Sequence, residues 1–132
     1  MIYLLDVNAL VALGFLNHEF HERVAAWVQS QKSLQLASCS ITELGFVRVL
    51  AQAPAYGFTV AQARALLLRL KAATTRRLTF ITDENDVAHL PSWVRTPKQV
   101  TDGHLSKLAT AKGGLLATLD DSIPESFLIP KS

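Results

Sequence analysis

The chain has 132 residues, 49% of them hydrophobic, which suits one ordinary domain able to bury a full core without disulfide or metal staples. Its 13 Lys and Arg against 11 Asp and Glu leave a formal charge of +2, and its single cysteine, Cys39, excludes an intramolecular disulfide and suits a reducing compartment. The apolar start MIYLLDVNAL carries an acid and no basic leader, and no run reaches the roughly 18 uncharged apolar residues of a membrane span, so the expected location is the cytoplasm, away from membranes.

Ile2 to Leu5 is a short apolar run stopped by Asp6, the pattern of a strand buried on both faces. Ala9 to Leu16 reads as a short helix, and His18 to Gln31 sets Val24, Ala25 and Val28 on a second helical stripe beside Trp27. Leu34 to Ala37 is the next strand. Ser40 to Ala51 returns to helical spacing through Leu44, Val47 and Leu50 and stops near Pro54 and Gly57. Thr59 caps a helix over Val60 to Ala73, a segment rich in strong helix formers, and Leu78 to Thr82 is the third strand. Asp83 to Arg95 is polar and irregular, a loop with room for one helical turn.

At Thr96 a cap, a first-turn proline and Gln99 announce another helix, which Gly113 and Gly114 end. Leu115 to Thr118 is a fourth strand and Phe127 to Ile129 a fifth. The β-α-α-β-α-α-β-α-β-β order predicts a single α/β domain over residues 1–132, with helices on both faces of a mainly parallel sheet of four or five strands.

Four acids stand where the apolar segments hand over to helices or turns: Asp6, Glu43, Asp102 and Asp120. In an open parallel sheet such strand ends line the binding crevice. Gathered there, like charges require protonation or a divalent cation, which points to a metal-dependent enzyme acting on phosphate esters. With the acids absorbed by a cation, the remaining surface is basic and suits a polyanion held by its backbone.

Each acid also has an ordinary explanation. Asp6 and Asn8 form D-x-N, offering a carboxylate ligand and an amide oxygen that binds or orients a water, or else a helix cap at Asn8 with Asp6 complementing the dipole. Ser40-Ile41-Thr42-Glu43 fits a capping box, which competes with ligation for the Glu43 oxygens, and Thr42 either bonds to the acids or fills the first turn. Asp102 lies along the stripe of Leu105 and Ala109, so its carboxylate meets a core edge unless the helix starts late and Asp102 caps it. His104 falls around the helix as a border residue. Asp120, closer to its strand than Asp121, either completes the site or serves the turn alone, and Asp121 is a turn residue or an outer helper. Asp83 and Glu84 also follow a strand, and position alone leaves them open. His18 and His21 lack a third metal-binding partner and read as core-edge packing. Arg64, Arg69, Lys71, Arg76 and Arg77 form a basic stretch that meets a polyanion or serves as a solvated face.

Three stretches, LLDVNALVAL, ITELGFVRVL and VTDGHLSKLATAKGGLLATLD, together resemble the PIN domain family, and within it the VapC-type toxin ribonucleases of type II toxin-antitoxin pairs. They span nearly the whole chain in the family's order. The resemblance implies a three-layer α/β/α sandwich and an acidic site for Mg²⁺ or Mn²⁺. It carries the family's acids onto Asp6, Glu43, Asp102 and Asp120, matches Asn8 to the polar residue two after the first acid, and gives Asp83 and Glu84 no ligand role. The family usually follows the late aspartate with a basic or small residue and an aromatic, whereas here Asp121-Ser122-Ile123-Pro124 follows, so an exchange of roles between Asp120 and Asp121 stays open. Also implied are an RNA substrate such as a transfer RNA, a cognate antitoxin in the groove, and a homodimer through helical faces; Phe46 and Leu67, expected to be exposed, are candidates for that contact.

The expected reaction is phosphodiester hydrolysis by a metal-activated water, leaving 5′-phosphate and 3′-hydroxyl ends. A haloacid-dehalogenase-type phosphatase is disfavoured, since its second acid falls on Asn8, which cannot transfer a proton. A silent PIN-like module that only binds RNA or a partner protein is the non-enzymatic alternative.

Overall fold

In the computed structural model, which describes residues 1–31, 33–73 and 78–131, the short apolar runs become strands. They are β1 (Ile2–Leu5), β2 (Gln35–Ser38), β3 (Leu78–Phe80), β4 (Gly114–Thr118) and β5 (Phe127–Leu128). The helices between them are α1 (Val7–Gly14), α2 (His21–Ser30), α3 (Ser40–Gln52), α4 (Val60–Ala72) and α5 (Val100–Ala111), with 3₁₀ turns at Pro54–Tyr56, Val87–His89 and Pro97–Gln99. All pairings are parallel, in the order β3-β2-β1-β4-β5. The expected α/β architecture is therefore present, with a wholly parallel sheet.

Alternation along the strands builds two cores. Leu5, Leu36 and Ala117 point into the layer of α1 to α4, while Leu4, Ala37 and Leu116 meet Leu105, Leu108 and Ala109 of α5 on the other face. Both faces are covered, as an all-parallel sheet requires. Each fully buried Leu contributes about 1.5–3 kcal/mol. No helix among the described residues is long and apolar enough to cross a membrane.

Several boundaries move for local reasons. Helix α1 starts at Val7 because Asp6, not Asn8, is the cap: its Oδ1 accepts the Val7 N–H at 2.8 Å. Cys39 begins α3, with the Thr42 hydroxyl accepting its N–H at 3.0 Å, so the predicted Ser40–Glu43 capping box does not form and Glu43 is released from that duty. Helix α2 begins at His21 instead of His18, and β3 stops at Phe80. The Thr96-Pro97-Lys98-Gln99 start signal is read as a 3₁₀ turn that runs into α5. Gly113 makes the turn with φ 81°, but Gly114 belongs to β4, where an added Cβ would lie 1.8 Å from the Ile2 carbonyl oxygen.

The expectation that Phe46 and Leu67 are exposed is wrong. Phe46 is 0% and Leu67 4% exposed, both in the core beneath α3 and α4, whereas Leu44 is 69% exposed. Of the basic stretch, Arg64 and Arg69 are exposed and Lys71 is partly buried; Arg76 and Arg77 lie outside the described residues.

Phe46→Ala should therefore cost about 3–5 kcal/mol in urea unfolding. Leu44→Ser should stay within about 0.5 kcal/mol. Equal effects at the two positions would contradict this packing.

Candidate active site

From β1 the chain steps outward to β2 and β3 on one side, and β4 and β5 lie on the other. The gap beyond the carboxyl ends of β1 and β4 is thus the topological switch point, the usual binding crevice of an open parallel sheet. Asp6 leaves β1 there, Asp120 follows β4 by two residues, and the first turn of α5 brings Asp102 to the same place.

Asp6 is buried, and burial raises its pKa; hydrogen bonds from the Thr118 hydroxyl and the Val7 N–H pull the other way, and the Asp120 charge raises it further, leaving a net increase. Asp102 is partly buried and is also raised, by burial first and then by the charges of Asp6 and Asp120. Asp120 goes down, because the Ser122 hydroxyl (2.6 Å) and N–H (2.9 Å) both donate to its Oδ1 and Lys98 adds its positive charge. Three carboxylates therefore feel one another's charge in one crevice.

Thr118, the last residue of β4, ties this group together. Its fully buried hydroxyl donates to Asp6 Oδ2 at 2.8 Å and accepts the Asp120 N–H at 3.1 Å and the Asn8 amide at 3.2 Å. Asn8 Oδ1 in turn accepts the Leu119 N–H at 3.1 Å, so Asn8 bridges α1 to the end of β4 instead of capping a helix. Sequence reasoning missed Thr118. The available signal was a polar residue ending an otherwise apolar strand.

Glu43 stands by the end of β2 and is differently engaged. Ser38 Oγ donates to its Oε2 at 2.6 Å and Lys71 Nζ of α4 lies 2.7 Å from the same oxygen. Thr42 is buried and bonded to Cys39, so its hydroxyl serves the helix start. Asp121 is exposed in the turn. Asp83 pairs with His104 and also accepts the Asn85 N–H at 3.0 Å, which makes His104 the border residue expected. His18 Nδ1 accepts the Phe20 N–H at 3.0 Å and His21 Nδ1 donates to Ala12 O at 2.8 Å, local roles far from metal binding.

Among the described residues no three Asp, Glu, His or Cys side chains are set to hold one ion as they stand. Glu43 is turned to Lys71 and Asp120 to Ser122. The donor chemistry nevertheless suits a hard divalent cation: Asp6, Asp102 and Asp120 offer carboxylate oxygens, and a positive ion among them would offset both the burial that chiefly raises Asp6 and Asp102 and the smaller repulsion between the acids.

No family model matches the chain. Curated relatives do. It is 42% identical over 126 residues to Ribonuclease VapC44 of Mycobacterium tuberculosis, covering 91% of this chain and 87% of that one. Ribonuclease VapC38 of the same organism is 37% identical over 127 residues, covering 91% and 86%. Among solved structures, M. tuberculosis VapC20, described as a Sarcin-Ricin loop cleaving toxin, superposes with a TM-score of 0.62 at 13% identity over 98% of this chain and 99% of that one. VapBC2 from Rickettsia felis, bound to a DNA fragment from its promoter, gives 0.61 at 17% identity over 97% of both chains.

The raised pKa of Asp102, from burial first and the neighbouring charges second, has a measurable consequence. A carboxyl whose pKa is raised in the folded state favours folding below its unfolded value, 3.8, and loses that contribution as pH rises through the folded one. In chelator at pH 7, Asp102→Asn should therefore melt about 1–4 °C above wild type, with the gain vanishing as pH falls below 4. A gain that is absent or independent of pH would contradict the electrostatic reading. Thr118→Val should cost about 1–3 kcal/mol by stripping partners from Asp6 and Asn8, and unchanged stability would contradict its place in the network.

Proposed function

The chain belongs to the VapC family of PIN-domain toxin ribonucleases, and on that premise we propose that it is a Mg²⁺- or Mn²⁺-dependent endoribonuclease that hydrolyses RNA phosphodiesters. The observation that carries the reading is the mutual charge of Asp6, Asp102 and Asp120 at the switch point of the sheet. Those three side chains would hold the cation, with Glu43 at the rim. A divalent ion bound there supplies Lewis acidity, lowering the pKa of water and offsetting charge on the phosphate.

The protein's own groups divide the rest. Asp6 is a fixed acceptor, its two oxygens oriented by Val7 and Thr118. Asp120 is likewise fixed by Ser122. Asp102 has no hydrogen-bond partner among the described residues, so its carboxylate is available to orient the attacking water and accept its proton. Water, not the ribose 2′-hydroxyl, attacks phosphorus, so the ends are 5′-phosphate and 3′-hydroxyl.

The substrate is a cellular RNA such as a transfer RNA. A cognate antitoxin covers the groove, a reading supported by the VapBC complexes among the structural relatives. A homodimer forms through helical faces, for which exposed Leu44 and Val60 on α3 and α4 offer apolar surface.

Pure protein incubated with mixed RNA should cut it in Mg²⁺ or Mn²⁺ and not in chelator. Asp6→Ala and Asp102→Ala should each lose about 10²-fold or more, the scale of removing one charge-stabilising group. End analysis should find 5′-phosphates; 2′,3′-cyclic phosphate ends would overturn the hydrolytic route, and silence on every RNA would leave a binding module.

A further inference from the structure

Beside the acids lies a cavity of about 390 Å³ whose wall includes Trp93, Lys98, Asp102 and Asp120. Its volume falls in the range of small-ligand clefts. Because Asp102 and Asp120 belong to both, whatever occupies the cavity lies next to the phosphate at the acids.

The wall is built on purpose-shaped backbone. Gly103, one residue after Asp102, lets the loop 91–94 rest directly on α5: an added Cβ would lie 2.1 Å from Val94 Cγ2 and 3.3 Å from Pro91 Cδ. Gln99 Oε1 accepts both the Arg95 N–H at 2.9 Å and the Thr96 N–H at 3.2 Å, fixing the loop that presents Trp93. The indole packs against the α5-side core, and its Nε1 is buried with no partner among the described residues. Lys98, exposed on the same wall, is close enough for its charge to act on Asp120.

We propose that this cavity is a nucleotide subsite, in which Trp93 stacks on the base flanking the bond to be cut and Lys98 contacts the adjoining phosphate. An aromatic platform combined with a cation is how proteins hold single-stranded nucleic acid. The base reaches Trp93 only when it is unstacked from its own strand, so the cleaved bond adjoins an unpaired nucleotide. The inference rests on the ribonuclease reading.

The test uses a single-stranded oligoribonucleotide that the protein cuts, with one abasic residue stepped through the positions flanking the cleaved bond. In wild type, one flanking position should raise KM about tenfold when abasic, with kcat changed less than about threefold. Trp93→Ala should show the same rise on the intact RNA and no further rise on the abasic one, while Trp93→Phe keeps the stack and stays near wild type. Lys98→Ala should lower the slope of log KM against log salt by about one ion. Equal abasic penalties in wild type and Trp93→Ala, or an unchanged salt slope in Lys98→Ala, would overturn the subsite while leaving the nuclease intact. If Trp93→Ala does not fold, the abasic scan of wild type and the Lys98 variant decide. Absence of any cleavage by wild type removes the nuclease reading and the subsite with it.

Discussion

Carboxylates crowded into one partly dry crevice are the constraint to which the molecule is fitted. Burial, and to a lesser degree the charge of Asp120, works against ionised Asp6, and burial followed by the charges of Asp6 and Asp120 works against ionised Asp102. Hydrogen bonds from Val7, Thr118 and Ser122 offset part of this repulsion. They do not remove it, and Asp6 and Asp102 remain harder to ionise than ordinary aspartates. A site of this kind favours whatever brings positive charge into it, which is the link between the sheet's topology and the metal-assisted chemistry proposed for it.

The sheet register makes the crowding possible. Leu5 pairs with Ala117, so the next residue on each strand, Asp6 and Thr118, emerges side by side at the carboxyl edge. Farther along the edge Lys71 balances Glu43. With side chains only 25% and 20% exposed, the pair is largely shielded from solvent, and it holds the Glu43 carboxylate against α4. Lys98 lies beside Asp120 at the cavity, while Lys71 is taken up by Glu43.

Much of this was legible in the sequence. Short apolar runs stopped by acids mark strands buried on both faces, and their alternation with helical stripes yields the order of elements. Asp6, Asp102 and Asp120 stood out because carboxylates at strand ends or on an apolar stripe need a partner. What was hidden depends on tertiary contact. The capping pattern fits Ser40–Glu43, whereas the box that forms uses Cys39 and Thr42, residue types outside the usual pattern, so only the chain's path reveals it. Buried Leu67 adjoins exposed Leu68, so which stripe faces inward is set by the neighbouring helices. Threonine is ordinary in a strand, and Thr118 acquires its role from register alone. Trp93 sits in a segment without periodicity and Lys98 within a helix-start signal, and neither pattern announces a cavity.

The most direct test of the central claim is the anomalous difference map of a crystal soaked in Mn²⁺. A peak coordinated by carboxylate oxygens of Asp6, Asp102 and Asp120 is the predicted result. A map with no peak there, or with manganese bound elsewhere while these three side chains keep their present hydrogen bonds, would contradict it.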